Sequence, residues 1–215
     1  RSSDLYAQLI IDELPPDSEG ATFAGEIVQE SQRISGIVRS LLYYARNEKQ
    51  THSPARIEDI IGRTLSLVQV LLNKDQIRVD VDIPEELPDL KCRSQQIQQV
   101  LMNLITNGRD ALNERYPGYH PDKLLAIAVR LVHHEGRRWL AVTVEDHGSG
   151  IPEPLQERLF DPFFTTKERD RGTGLGLPIS YGIVQEHHGN LHFETEEGRY
   201  TRFILELPAP GTEKW

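Results

Sequence analysis

Cysteine is almost absent from this 215-residue sequence, and long apolar runs are absent altogether. The single cysteine, Cys92, cannot form an internal disulfide bond, which is typical of proteins from a reducing compartment. No stretch approaches the ~18 apolar residues of a membrane-spanning helix, and no signal peptide is visible. The sequence therefore argues against a disulfide-stapled secreted domain and predicts no membrane contact by this chain.

Positive charge is also in the minority. The sequence has 24 lysines and arginines against 33 acidic residues, which gives a formal net charge of −9. Such a surface repels phosphate backbones, so we expect no nucleic-acid partner. The length allows one sizeable core and a smaller element. Because the first residue is Arg1 rather than Met, we expect the chain to be part of a longer protein.

Residues 1–50 predict a helical hairpin. A first helix ends before Pro15 and Pro16, and a second runs from Ala21 to about Asn47. The second helix carries an apolar stripe on one face, formed by Phe23, Ile27, Ile34, Val38 and Leu41. Because two helices cannot bury these faces alone, the hairpin either completes a four-helix homodimer, which we favour, or packs on the rest of the chain.

Residues 51–215 predict a second domain in which helices alternate with strands. Helices are predicted over 57–74, 94–115 and 175–187, the second with Ser94 as its N-cap. Strands are predicted over 77–83, 124–132, 138–145, 190–195 and 200–207. This order predicts an α+β fold, a two-layer α/β sandwich preceded by the helical hairpin.

Two asparagines on the helix 94–115 are candidate metal ligands. Asn103 and Asn107 are four residues apart, so their side chains lie on one face of the helix. Amide oxygens are hard ligands that can hold Mg²⁺ together with phosphate oxygens and water. The alternative is a pair of asparagines that contact solvent or a neighbouring helix.

An acidic residue follows the strand 138–145 directly and precedes two glycines. Asp146 can accept a hydrogen bond from an exocyclic amine, and the thin backbone at Gly148 and Gly150 lets a flat ring approach. Thr201 on the closing hairpin is expected on the same face as Asp146. The alternatives are an ordinary acidic turn and an ordinary strand threonine.

A second glycine cluster follows a polar, cation-bearing segment. Gly172, Gly174 and Gly176 precede the predicted helix at 175–187, and Lys167 and Arg171 lie just upstream. Glycine amides at a helix start suit a polyphosphate, although a flexible loop with a glycine cap is the alternative. No Gly-Lys-Ser or Gly-Lys-Thr follows, which excludes a Walker A loop.

Taken together, these segments resemble the N, G1, F and G2 boxes of sensor histidine kinases within the GHKL superfamily, in the same order. The matching segments are Asn103-Leu104-Ile105-Thr106-Asn107, Asp146-His147-Gly148-Ser149-Gly150, residues 160–167 and residues 172–177. The resemblance implies the Bergerat ATP-binding fold in residues 51–215. It also implies that residues 1–50 belong to the dimerisation and histidine phosphotransfer domain.

The resemblance implies a role for each matching position. Asn107, helped by Asn103, would hold Mg²⁺, and the catalytic group would be Asn103, Lys167 and Arg171, with Arg169 as an alternative lid cation. The positions implied in ATP binding are Asn107, Asp146, Gly148, Gly150, Thr166, Gly172, Gly174, Leu175, Gly176 and Thr201. Asp110 departs from the family pattern, and Arg109 is a candidate substitute in contacting phosphate.

The resemblance also implies the reaction and the partner. The γ-phosphoryl group of ATP would pass to a histidine and then to an aspartate in the receiver domain of a response regulator. The H box that carries this histidine is missing, and we expect it upstream of Arg1 in a longer protein. The chain would be cytoplasmic, and the resemblance leaves open whether the longer protein is anchored in the inner membrane.

Two other functions stay open. A GHKL ATPase would carry a glutamate as general base one turn before the Mg²⁺ asparagine, where this chain has Asn103. Placing a glutamate there is expected to raise basal ATPase activity. The second is a nucleotide-sensing dimerisation module without kinase activity.

The histidines of the second domain do not form a metal-binding pattern. We expect surface positions rather than metal ligation for His133, His134, His187, His188 and His192.

Overall fold

The computed structural model describes residues 6, 9–11, 13–15, 18–28, 30–31, 51–134, 136–167 and 172–210. The chain divides into two compact units, one comprising residues 1–49 and 161–175 and the other residues 50–160 and 176–215. In the first unit, residues 19–28 are helical, and Ser18 Oγ accepts a hydrogen bond from the amide of Ala21 at 3.2 Å. Most of the second hairpin helix, including Ile34, Val38 and Leu41, lies outside the described residues, so the hairpin and its boundary stay predictions.

The second unit contains the described strands. Its elements in chain order are β1 (Ser53–Ala55), α1 (Ile57–Lys74), β2 (Arg78–Asp82), β3 (Leu90–Cys92), α2 (Ser94–Arg115), β4 (Leu124–His134), β5 (Arg137–Asp146), α3 (Glu153–Gln156), α4 (Gly176–Glu186), β6 (Asn190–Glu196) and β7 (Tyr200–Pro208).

Five of these strands form one mixed sheet in the order β2-β4-β5-β7-β6. β2 and β4 are parallel, and the other neighbours are antiparallel. A separate two-stranded sheet pairs β1 with β3. The central position of β5 places its last residue, Asp146, between β4 and β7.

The core lies between the helices and one face of the large sheet. Alternate side chains are buried along β7, from Leu125 to Val129 in β4 and from Leu140 to Asp146 in β5, as expected of a sheet covered on one face. The sheet contributes Leu125, Ile127, Val129, Leu140, Val142, Val144, Phe203, Leu205 and Leu207 to one cluster with the apolar stripes of α1 and α2. The predicted α+β sandwich is therefore confirmed.

The predicted helices and strands of this unit agree with the structure to within two residues at each end. One detail is wrong: Ser94 is the first helical residue, and Arg93 holds the N-cap position without a side-chain cap hydrogen bond. The structure also adds β1, β3 and α3, which are too short to give a periodic pattern. Among the described residues, no helix combines the length and the apolar character that crossing a membrane requires.

Candidate functional site

The site is built around a buried carboxylate at the end of a central strand. Asp146 is the last residue of β5 and only 4% exposed. Its backbone pairs with Thr201 on β7, which is also 4% exposed, so both side chains lie on the helix-facing side of the sheet. The structure thus brings together the two residues that the sequence analysis placed on one face.

Burial dominates the electrostatics of Asp146. It raises the pKa of this carboxyl group to about 7, although the amide of Gly148 donates to Oδ1 at 2.9 Å and opposes the shift, while the nearby charge of Glu145 adds to it. A carboxylate that is costly to ionise in the free protein gains from a ligand that donates a hydrogen bond to it. Asp146 therefore has the character of a binding group.

A glycine on α2 lies directly against this carboxylate. A β-carbon at Gly108 would lie 3.1 Å from the β-carbon of Asp146 and 2.9 Å from Cδ1 of Leu125. The absence of a side chain at this position therefore lets α2 approach the end of β5. The sequence analysis missed Gly108 as a site residue, although a glycine inside a long helix is a signal of close approach.

The loop that follows Asp146, residues 146–151, is called the G1 loop here. At Gly148, an added β-carbon would lie 2.6 Å from Oδ1 of Asp146 and 2.7 Å from the β-carbon of Ala111. Gly150 has φ +68°, and its β-carbon would lie 2.3 Å from the carbonyl oxygen of Glu196. Both positions therefore require glycine, because each packs against other atoms of the chain; the predicted approach of a flat ring stays a prediction.

The two asparagines lie one turn apart on α2 and are both half-buried. Asn103 Nδ2 donates to the carbonyl oxygen of Gly176 at 3.1 Å and to Oγ of Ser180 at 3.0 Å. Since a carbonyl oxygen can only accept, the amide nitrogen must face α4, and Oδ1 is the atom of Asn103 that can act as a ligand. Asn103 thus joins α2 to the start of α4.

The segment with the cations and the first two glycines belongs to the other unit. The amide of Phe163 donates to the carbonyl oxygen of Gly174 at 2.9 Å, which closes a loop between them. Gly174 has φ +65°, and a β-carbon there would lie 2.4 Å from the carbonyl carbon of Phe163. The amide of Lys167 donates to Thr165 Oγ1 at 3.2 Å, and that of Leu175 to Thr173 Oγ1 at 3.3 Å.

The remaining predicted residues fall into four groups. Thr166 and Gly172 lie in the described part of the same segment, whereas Arg169 and Arg171 lie outside the described residues. Arg109, the candidate substitute for a phosphate contact, instead forms an ion pair with Asp75 at 2.5 Å. Gly176 is the first residue of α4, one residue later than the predicted helix start.

One expectation about the histidines is wrong. His187 is only 3% exposed. Both of its ring nitrogens are satisfied, because Nε2 accepts a hydrogen bond from the amide of Arg93 at 3.0 Å and Nδ1 bonds the carbonyl oxygen of Ile183 at 2.7 Å. It therefore ties the end of α4 to the start of α2. Among the described residues, no group of three or more histidine, cysteine or acidic side chains could hold a metal ion.

A mixed sheet with helices on one face, a carboxylate at the end of its central strand and glycines packed around that carboxylate define an ATP-binding domain of the GHKL class. The sequence profile of the histidine kinase-, DNA gyrase B- and HSP90-like ATPases matches residues 92–211. The chain belongs to that family.

Its relatives include named sensor kinases. The chain is 33% identical to the sensory histidine kinase/phosphatase NtrB of Salmonella typhimurium over 94% of its own length and 56% of that protein. It is 33% identical to the sensor kinase CckA of Brucella abortus over 87% of its length and 20% of that protein. The chain thus spans only part of these relatives.

A solved structure gives the same result. The catalytic domain of the histidine kinase ThkA matches 74% of this chain and 97% of its own length, with a TM-score of 0.62 and 28% sequence identity. The predicted resemblance to the ATP-binding domain of sensor histidine kinases is therefore confirmed.

Proposed function

We propose that this chain is the ATP-binding catalytic region of a sensor histidine kinase, with residues 1–50 as part of its dimerisation hairpin and residues 51–215 as the catalytic domain. The observation that carries the proposal is the environment of Asp146. A buried carboxylate beside Thr201, approached by the bare backbones of Gly108 and Gly148, suits a flat ring with an exocyclic amine.

In the proposed site, the ionised Asp146 accepts a hydrogen bond from the adenine amino group of ATP, and the Thr201 hydroxyl lies beside it. Burial raises the pKa of Asp146 and so favours its neutral form in the free protein. Nucleotide binding, which needs the ionised form, is therefore accompanied by release of the Asp146 proton. Asp146 therefore acts in recognition of the base and not in the chemical step.

Mg²⁺ fits the donors on α2. Asn107 lies one turn from Asn103, and amide oxygens are suitable ligands when phosphate oxygens and water complete the coordination. When bound, the cation neutralises phosphate charge. The hydrogen bonds from Asn103 Nδ2 to Gly176 and Ser180 fix the orientation of the Asn103 amide group and hence the direction of its oxygen.

The family resemblance supplies the rest of the proposed mechanism. Lys167 and Arg171 would meet the γ-phosphate, and the backbone around Thr166, Gly172, Gly174, Leu175 and Gly176 would contact the phosphate chain. A histidine ring nitrogen attacks the γ-phosphorus, the bond to the β–γ bridging oxygen breaks, and ADP leaves. The phosphoryl group then passes to an aspartate of a response regulator receiver domain.

The test uses ATP labelled at the γ-phosphate, with Mg²⁺, on this chain and on a version extended upstream into the preceding helix. Label that is stable to alkali and labile to acid in the extended protein alone is the expected result. Nucleotide binding without any label would favour the nucleotide-sensing module. Rapid release of labelled inorganic phosphate by this chain would favour a GHKL ATPase.

A further inference from the structure

Arg115, the last residue of α2, donates hydrogen bonds to carbonyl oxygens of the G1 loop. Arg115 Nη1 donates to the carbonyl oxygens of His147 at 3.1 Å, Gly148 at 2.9 Å and Arg199 at 3.0 Å. His147 and Gly148 belong to the G1 loop, and Arg199 lies in the turn between β6 and β7. One guanidinium group therefore connects three parts of the chain.

The charge of Arg115 is directed at backbone dipoles and not at an acid. Among the described residues, no carboxylate forms an ion pair with Arg115, and the guanidinium carbon lies 5.0 Å from the ring centroid of Tyr116. Hydrogen bonds from a cation are stronger than those between neutral groups. The contact therefore restrains the carbonyl groups that it reaches.

A single peptide group lies between Arg115 and Asp146. The carbonyl oxygen of this group belongs to His147 and accepts from Arg115, while its amide belongs to Gly148 and donates to Oδ1 of Asp146 at 2.9 Å. Because a peptide group is planar, fixing its oxygen also fixes the direction of its N–H bond. Hydrogen bonds in such a chain also polarise one another.

The G1 loop is tied to the β6–β7 hairpin at two further points. The amide of Gly198 donates to the carbonyl oxygen of Ser149 at 2.6 Å, and the amide of Ile151 donates to Thr195 Oγ1 at 2.9 Å. These bonds hold the second half of the loop. The half that carries the peptide group beside Asp146 is held by Arg115 and by the amide of His147, which donates to the carbonyl oxygen of Leu124 at 3.1 Å.

We propose that Arg115 is a positioning residue for nucleotide recognition, which orients the Asp146 carboxylate through the peptide group between His147 and Gly148. This inference rests on the proposed function. Arg115 itself does not touch the nucleotide; it keeps the acceptor oxygen of Asp146 aimed at the ring that binds there.

The test compares Arg115→Ala with the wild-type chain and with Arg130→Ala. Arg130 is the control because its Nη1 also donates to carbonyl oxygens, those of Asp82 at 3.3 Å and Val129 at 2.7 Å, on strands away from the G1 loop. It differs from Arg115 in that its Nη2 also pairs with the Asp82 carboxylate, so its own removal should cost stability and leave nucleotide binding unchanged. ATP and GTP dissociation constants and the thermal unfolding midpoint are measured for each protein. Arg115→Ala is expected to weaken ATP binding about tenfold and reduce the preference for ATP over GTP.

A merely structural role would lower the unfolding midpoint without changing the ATP:GTP ratio, and this outcome would overturn the inference. Arg115→Lys, which keeps the charge but reaches fewer carbonyl groups, is expected to give an intermediate effect. A wild-type chain that binds no nucleotide would instead refute the proposed function. The inference would then be decided by the NMR titration of Asp146, whose pKa should rise in Arg115→Ala as its amide donor loses orientation, and an unchanged titration would reject it.

Discussion

Gly108 and Asp146 lie so close that a β-carbon at position 108 would be 3.1 Å from the β-carbon of Asp146 and 3.4 Å from its Oδ2. The two residues come from different elements, α2 and the end of β5. Their contact sets the distance between the helix that carries the asparagines and the proposed adenine-binding carboxylate. Glycine at position 108 therefore makes α2 less stable than alanine would, but it is needed for the close contact with Asp146.

Gly108→Ala is expected to weaken ATP binding by about tenfold, since an added methyl group in a packed site costs ~1–3 kcal/mol in displaced neighbours. Leu125 can give way by turning its terminal methyl group, but the β-carbon of Asp146 moves only with the strand. Isothermal titration calorimetry with ATP measures the loss.

Gly62→Ala is the matched control for this substitution. Gly62 lies inside α1, and a β-carbon there would meet no atom within 4 Å. Alanine should therefore stabilise the fold by roughly 0.5–1 kcal/mol and leave ATP binding unchanged. Equal effects of the two substitutions on ATP binding would show that the contact between Gly108 and Asp146 does not matter.

Asp146→Asn is expected to abolish measurable ATP binding and at the same time to stabilise the free protein at alkaline pH. The asparagine oxygen can still accept from Gly148, but its amide group offers a donor where the adenine amine also donates. Burial raises the pKa of Asp146 to about 7, so ionising it costs free energy of folding that asparagine does not incur.

The sign of the pH dependence follows from the direction of this shift. Because the folded-state pKa lies above the unfolded value of 3.8, the wild-type protein loses stability relative to Asp146→Asn as the pH rises from about 4 through 7. The gain of the variant should reach at most about 4 kcal/mol at pH 8 and vanish near pH 4. Urea unfolding of both proteins at the two pH values checks it, and a variant less stable than wild type at pH 8 would contradict the assignment.

Much of the fold could be read from periodicity, because α1, α2, β4, β5 and β7 are long and bury one face each. The bounds of α2 were predicted correctly, but its N-cap was not, because Ser94 is a favourable capping residue that instead lies one position after the N-cap Arg93. The strands β1 and β3 were not predicted, because three residues are too few to show an alternation of apolar and polar side chains. The shared face of Asp146 and Thr201 was predictable from the sequence, whereas their roles in binding stay predictions.

Other contacts depend on tertiary distances that a sequence does not contain. The bonds of Arg115 to His147 and Arg199 cross 32 and 84 residues of chain, and nothing local at Arg115 indicates them. His187 carries the same lesson, because its bond to the amide of Arg93 spans 94 residues. His187, which precedes His188 in a polar sequence, is therefore a buried contact between α4 and α2 that the sequence did not indicate.

Arg109→Ala tests whether this arginine contacts phosphate or supports the fold. Arg109 lies 2.5 Å from Asp75, and Asp75 also accepts from Asn113 Nδ2 at 2.7 Å. Burial alone would raise the pKa of Asp75, but the bonds from Asn113 and Arg109 outweigh it and lower the pKa. The variant should lose roughly 1 kcal/mol of stability at neutral pH, given the partial exposure of the pair, and bind ATP within twofold of wild type. A tenfold loss of ATP affinity at unchanged stability would restore Arg109 as a phosphate contact.

Asn103→Glu tests whether a carboxylate at position 103 can act as the general base of a GHKL ATPase, and the structure changes the result that we expect. From the sequence alone, a glutamate at this position should act as a general base and raise ATPase activity. In the structure, Asn103 Nδ2 donates to the carbonyl oxygen of Gly176 and to the buried hydroxyl of Ser180. An ionised glutamate has no donor and would face that carbonyl oxygen, at a cost of about 1–3 kcal/mol.

The Asn103→Glu variant should therefore hydrolyse ATP no faster than wild type and should have a lower thermal unfolding midpoint. Asn103→Asp is the matched control, because it also lacks the donor but its carboxylate is one methylene shorter. The two variants should lose stability alike, since both lose the same two hydrogen bonds. Faster phosphate release by the glutamate variant alone, at a wild-type midpoint, would mean that a carboxylate at position 103 can activate water, and the contact with α4 would then be dispensable for holding this side chain.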